Sequence, residues 1–304
     1  MYHNLETKPF LDTDFNQDID QNKIMDSLKF IHKNYAFSTF PYLVHCNNSK
    51  NAIKNFKSGN CISLSIGLKN YLKEQYNVES FLIPATIPNM YSRDGYLDIS
   101  HVALAIPRNK KKIYIADCAF YFINPIKVRD YKDDPQVIFT KNIYEKEYKK
   151  NLREYKSLKK VYAKTGKLEE DLIFNDYQKI PIETFYSECY EYENDKWKYF
   201  LTEILNPDKA ISSFFINIRI EPFIVSTKLD ENGICTADYI IKIVNNKLSV
   251  KKEHGETKLY NLENIDKELD PIIEKEMEPY FKEGIKKDII KFLSMKQEYY
   301  DIND

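Results

Sequence analysis

Apolar side chains set the frame of this chain. Over residues 21–35, Ile24, Met25, Leu28, Ile31 and His32 recur at helical spacing, which predicts an amphipathic helix. A second helix is predicted from Cys61, where Ile62, Leu64, Ile66, Leu68, Tyr71 and Leu72 repeat at the steps of a buried helix. Ser58-Gly59-Asn60 supplies turn and N-cap chemistry just before it. After Val78 the pattern changes to short β-like runs: 80–83, 101–106, 112–117 and 136–140. Residues 143–170 are dense in Lys, Glu and Tyr and read as a charged, solvated helical excursion. Trp197 to Leu205 reads as a short connecting helix that Pro207 ends. Three further strands are predicted at 214–224, 237–244 and 247–251, with turns at Glu231-Asn232-Gly233 and Asn245-Asn246. The tail, 266–300, carries Ile272, Ile273, Met277, Phe281, Ile285, Ile289, Ile290 and Phe292 and reads as one or two helices.

These runs predict an α+β protein in four segments. They are a helical unit over 1–78, a β-rich unit over 79–195, a connecting helix within 196–210 and an α/β unit over 211–304. Residues 1–20 are polar and read as a loosely ordered lead-in.

Composition narrows the function classes. The net charge is −1, with 45 basic and 46 acidic side chains, so no whole-protein field attracts nucleic acid or an anionic membrane. No apolar run reaches the ~20 residues that span a bilayer, and no secretory signal opens the chain. The cysteines, Cys46, Cys61, Cys118, Cys189 and Cys235, are odd in number and widely spaced. They predict neither a disulfide framework nor a metal site, and they point to a reducing, cytoplasmic setting. The glycine signatures of phosphate-binding loops are absent.

The candidate chemistry lies in three residues, Cys61, His101 and Asp117. A cysteine in the first turn of a helix sits where backbone N–H groups and the helix dipole favour a thiolate. His101 opens one predicted strand and Asp117 ends the next, across the turn Pro107-Arg108-Asn109-Lys110-Lys111. Pairing Ile106 with Lys112 puts His101 directly opposite Asp117, on a face with Ala103, Ala105, Ile113 and Ile115. A one-residue slip would separate them. Nucleophile, imidazole base and orienting carboxylate are the parts of covalent acyl transfer. Each residue also has an ordinary structural reading: a buried thiol, a core histidine, a strand-end turn former. Three other features carry less chemistry. His45-Cys46 is an adjacent pair that packing explains, His254 lies in a polar turn, and Arg108 to Lys112 is a solvated basic hairpin tip.

The same residues carry a family resemblance. Lys57 to Leu72 resembles the Arg-Gly-Gly-x-Cys-x-Glu-x-Asn motif of the arylamine N-acetyltransferases. His101-Val102-Ala103-Leu104 resembles that family's His-x-x-Leu strand, and Tyr114 to Phe120 its Val-Asp-x-Gly-Phe-Gly segment. The resemblance implies a cysteine-proteinase-like fold: an N-terminal helical bundle carrying the Cys helix, a central antiparallel β-barrel and a C-terminal α/β lid. It implies acetyl-CoA or a related acyl-CoA as co-substrate, a small-molecule amine as acceptor, no tightly bound cofactor, and an acyl-Cys61 intermediate. The departures are Lys57 for the Arg, Ser58 for the first Gly, Ser63 for the Glu, Ser65 for the second polar position, and Ala119 and Tyr121 for the later glycines. The broader transglutaminase-like superfamily uses the same Cys, His, Asp order. An amidase or protease on the same triad, or a non-catalytic binding module retaining the fold, therefore stands beside the transferase reading.

Overall fold

The computed structural model describes residues 5–6, 16–45, 47–85, 101–109, 112–119, 123–128, 137–142, 185–192, 197–200, 204–205 and 222–303. The predicted charged excursion at 143–170 and most of the predicted strand at 214–224 lie outside them. The described elements are helices and two sheets, antiparallel in every described ladder except one parallel pair, Ala36–Ser38 with Ser58–Gly59, a mixed α+β fold.

Four helices occupy the N-terminal part: α1 Gln21–Asn34, α2 Phe40–Leu43, α3 Ser49–Phe56 and α4 Cys61–Tyr76. Three of the starts follow from local chemistry. The side chain of Asp20 caps α1 through Lys23 N–H, Asn48 caps α3 through Asn51, and Asn60 caps α4 through Ser63. Helix α4 ends at Asn77, whose left-handed backbone (φ 53°) lets its N–H close onto Leu72 and Lys73 carbonyls. Ile62, Leu64, Ile66, Leu68 and Leu72 of α4 are all buried. Each contributes about 1.5–3 kcal/mol relative to exposure, so α4 is held by burial along much of its surface.

The strands are, in chain order, β1 Leu5–Glu6, β2 Ala36–Ser38, β3 Ser58–Gly59, β4 Phe81–Ala85, β5 His101–Pro107, β6 Ile113–Ala116, β7 Ile126–Val128, β8 Val137–Asn142, β9 Phe185–Tyr192, β10 Trp197–Phe200, β11 Ile204–Leu205, β12 Phe223–Leu229, β13 Cys235–Val244, β14 Lys247–Lys252 and β15 Thr257–Asn261. One sheet runs β7-β6-β5-β4-β10-β9-β8, with β11 beside β4 and β1 beside β11. The expected closed barrel is not found among the described residues. Closure needs β7 and β8 to pair, and the described ladders leave them at opposite ends of an open path.

The second sheet runs β15-β14-β13-β12-β2-β3. Its first four strands form a meander, and the predicted Asn245-Asn246 turn has positive φ at both residues (49° and 58°), as a tight hairpin demands. Its last two strands come from the N-terminal helical region. Thr39 N–H donates to Phe223 O at 3.0 Å, and Phe223 N–H donates to Thr39 Oγ1 at 3.0 Å. Helices Pro271–Met277 and Ile285–Asn303 cover one face of this sheet, with Ile273, Met277, Phe281, Ile289 and Phe292 in its core.

Three further sequence expectations change. The segment 197–205 contributes β10 and β11, not a connecting helix. The stretch Trp197 to Phe200 has the aromatic composition that suits a strand, and β10 and β11 pair with the edge of β4 opposite β5. The lead-in is docked at its end: Ile19 is fully buried, and Gln17 Nε2 donates to Pro107 O (2.6 Å) and Glu79 O (3.0 Å). The third change is the register of β5 and β6. Ile106 faces Tyr114 and Leu104 faces Ala116, a shift of two residues from the expected pairing. An even shift preserves which face each side chain occupies.

Candidate active site

That parity decides the site. One face of the sheet carries Ile83, Ala85, Ala103, Ala105, Ile113, Ile115 and Tyr199 as a buried cluster. Tyr199 pairs with Ala85, and Ala85 pairs with His101, so the three form a row across β10, β4 and β5. The ladder of β5 and β6 brings Asp117 level with Ala103, diagonal to His101 on the same face. Alanines at 85 and 103 leave room for larger side chains to meet above them.

They do meet. His101 Nε2 and Asp117 Oδ2 are 2.7 Å apart, and both residues are buried. Asp117 Oδ2 also accepts from Tyr199 Oη at 2.9 Å, and Oδ1 accepts from Ala119 N–H at 3.0 Å. The carboxylate is thus held from three sides. Cys61 lies beside the His101 imidazole, close enough for its sulfur to raise the ring's proton affinity. Since Nε2 is engaged by Asp117, Nδ1 is the nitrogen left for the sulfur. All three residues predicted from sequence are brought together.

Electrostatics follow from this packing. Burial works to lower the His101 pKa, but the charge of Asp117, its hydrogen bond and the contact with Cys61 outweigh burial and push it from 6.5 up to about 10. At neutral pH the imidazole is therefore a cation, held between the Asp117 carboxylate and the Cys61 sulfur. Burial pushes Cys118 well above the usual range and Cys235 up to about 11.

Cys61 is the first residue of α4. The first helical amides have no intrahelical acceptor. The Asn60 side chain takes that of Ser63 (3.2 Å) and the Asn60 carbonyl takes that of Leu64 (2.9 Å). Among the described residues, the Cys61 and Ile62 amides, with the positive end of the helix dipole, are the candidate donors for an oxyanion. One turn along, Ser65 Oγ donates to Val102 O at 3.3 Å, which ties α4 to the residue beside His101.

Sequence reasoning missed Tyr199, because Trp197 to Leu205 reads as a helix by its position before Pro207. The available signal was composition: Trp197-Lys198-Tyr199-Phe200 is rich in aromatic residues, which suits a strand. Tyr199→Phe removes one hydrogen bond to a buried carboxylate, worth about 1.5–3 kcal/mol. If that support orients His101, alkylation of Cys61 by iodoacetamide at neutral pH should slow by roughly 10- to 100-fold. The alkylation rate of the folded variant checks this, and an unchanged rate would leave Tyr199 with a packing role only.

The other sequence candidates lie elsewhere. His45 Nε2 bonds both Asp288 oxygens at 2.9 Å, and Lys291 Nζ lies 3.2 Å from its Nδ1, so His45 joins the N-terminal region to the C-terminal helix. Cys46 is outside the described residues. The His254 side chain is 91% exposed. Among the described residues, no cluster of three or more His, Cys, Asp or Glu could hold a metal ion, and no helix is long and apolar enough to cross a membrane.

No family model and no curated protein matches this sequence. Solved structures similar to it are arylamine N-acetyltransferases from several bacteria. The Bacillus cereus enzyme with a Cys-His-Glu catalytic triad is 13% identical, spans 83% of this chain and 91% of its own, and has a TM-score of 0.44. The M. smegmatis enzyme is 13% identical, spans 88% of this chain and 89% of its own, at 0.42. The Nocardia farcinica enzyme is 10% identical, spans 94% of this chain and 88% of its own, at 0.45.

Proposed function

We propose that this protein is an acyltransferase that moves an acyl group from acyl-CoA to a small-molecule amine through an acyl-Cys61 intermediate. The observation that carries the reading is the buried chain of Cys61, His101 and Asp117, with Cys61 at a helix start.

The chemistry runs in two halves. The Cys61 thiolate attacks the thioester carbonyl carbon, and the charge on the carbonyl oxygen is met by the first amides of α4. The new carbon–sulfur bond forms, the bond to CoA breaks, and the CoA thiolate leaves with the proton of the His101 imidazolium. In the second half the amine nitrogen attacks the acyl-Cys61 carbonyl. His101, now neutral, takes the amine proton, and the Cys61 thiolate departs. Asp117 holds the imidazole in one orientation and stabilises its charged form throughout. No tightly bound cofactor is needed, because the acyl group arrives already activated as a thioester.

Incubation with acetyl-CoA, followed by intact mass measurement and peptide mapping, is the test. The expected result is an acetyl adduct on Cys61 that disappears when an arylamine is added and yields the acetylated amine. An adduct that decays at the same rate without amine would favour the amidase or protease reading on the same triad. No adduct with any acyl-CoA, together with slower alkylation of Cys61 than of Cys235, would favour the non-catalytic module.

A further inference from the structure

Just before Cys61 lies a buried polar cluster that the triad does not use. Tyr42, from α2, is 2% exposed, and Ser49, Asn60 and Ser63 are fully buried. The Tyr42 hydroxyl donates to Asn60 Oδ1 at 2.7 Å and accepts from Asn60 N–H at 3.2 Å. It also bonds Ser63 Oγ, and it lies 3.2 Å from Ser49 Oγ. The Ser63 hydroxyl has one proton for two acceptors, the Tyr42 oxygen and Ser49 O, the latter 2.7 Å away.

One phenol thus bonds both the backbone and the side chain of the residue before Cys61, and the side chain two residues after it. Asn60 is also the N-cap of α4. Its side-chain oxygen needs only the Ser63 N–H to cap the helix, so the Tyr42 bonds are additional. They fix the Asn60 side-chain rotamer and the backbone direction from which Cys61 departs. The packing is tight: a Cβ on Gly59 would collide with Cβ and Oγ of Ser63 and come within 3.1 Å of the Tyr42 hydroxyl. Gly59 is required here for close approach. Burial raises the Tyr42 pKa well above the usual phenol range, despite hydrogen bonds from Ser49 and Ser63 that lower it. Tyr42 is therefore a neutral hydrogen-bonding hub. A phenylalanine would fill almost the same volume, which makes the hydroxyl the distinguishing group.

We propose that Tyr42 is the positioning residue for Cys61: through Asn60 and Ser63 it sets the first turn of α4 so that the sulfur meets His101. This rests on the triad reading above. It also assigns a role to Ser63 at the position of the motif Glu. The short serine leaves space that the Tyr42 hydroxyl occupies from a separate helix.

The test uses alkylation, which needs no substrate. Iodoacetamide modification of Cys61 is followed from pH 5 to 10 in the full-length protein, alongside thermal melting, for wild type, Tyr42→Phe, Ser63→Ala and His101→Asn. Tyr42→Phe is expected to slow modification at neutral pH about tenfold and to move the profile to higher pH, with a wild-type rate restored at the alkaline end. Ser63→Ala should move it in the same direction by less, and it carries the test if Tyr42→Phe does not fold. A lower melting temperature with a wild-type alkylation profile in the folded variants would overturn the proposal and leave the cluster structural. His101→Asn separates the two ideas. If it leaves the profile unchanged, the triad reading fails whatever Tyr42→Phe does. If it shifts the profile and Tyr42→Phe and Ser63→Ala do not, only the positioning role fails.

Discussion

Asp117→Asn is expected to slow acyl transfer by about 10⁴-fold, the magnitude seen when the orienting acid of a triad becomes an amide. The carboxylate accepts from His101 Nε2, Tyr199 Oη and Ala119 N–H at 2.7, 2.9 and 3.0 Å. An Asn in its place presents one oxygen and one NH₂ group. If the oxygen stays on Ala119, the NH₂ group faces both Nε2 and the Tyr199 hydroxyl. Nε2 must then become an acceptor, which moves the imidazole proton to Nδ1 and points it at the sulfur. That tautomer cannot accept the proton of a thiol or an amine at Nδ1. The stability cost is separate. Removing one partner of a buried ion pair costs about 3–5 kcal/mol, so the melting temperature should fall as well. Single-turnover acylation and thermal melting on the same preparation separate the two. Full activity in a folded Asp117→Asn protein would remove Asp117 from the mechanism. Loss of activity only through unfolding would make it structural.

The second large effect is on stability against pH. His101 has a folded-state pKa near 10 and an ordinary value of 6.5. A group whose folded pKa is raised binds its proton more tightly in the native state. Its contribution is fully present below about pH 6.5 and is lost as pH rises through about 10. A tenfold gain in proton affinity on folding corresponds to about 1.4 kcal/mol, so the stake is on the order of several kcal/mol. Wild type should therefore lose stability between pH 6.5 and 10, and His101→Asn should lack this component of the slope. The measurement is the difference in melting temperature between the two proteins across that window. A constant difference from pH 6 to pH 10 would show that His101 does not gain its proton affinity on folding. The sign is informative, because a histidine buried without Asp117 would have its pKa lowered and would give the opposite trend.

Local rules made much of the site legible. Asn60 caps α4 because Asn at that position satisfies an N–H three residues on. The apolar repeat from Ile62 to Leu72 makes the helix, and the two apolar runs around Pro107 to Lys111 make the hairpin. Strand alternation then places His101 and Asp117 on one face, and this survived a two-residue error in register because the period of a strand is two. The sequence by itself therefore determined which three residues converge and the α+β character. Only the tertiary structure decided what surrounds them. Tyr199 reaches Asp117 from 82 residues away, and it does so because β10 pairs with β4, next to β5. Tyr42 reaches Asn60 from another helix. Strand β2 joins β12 to place the region just before Cys61 on the edge of the C-terminal sheet. No spacing rule encodes these contacts. They arise from strand order and helix packing, where the edge free to pair and the small side chains that leave room, Ala85 and Ala103, decide which distant residue arrives.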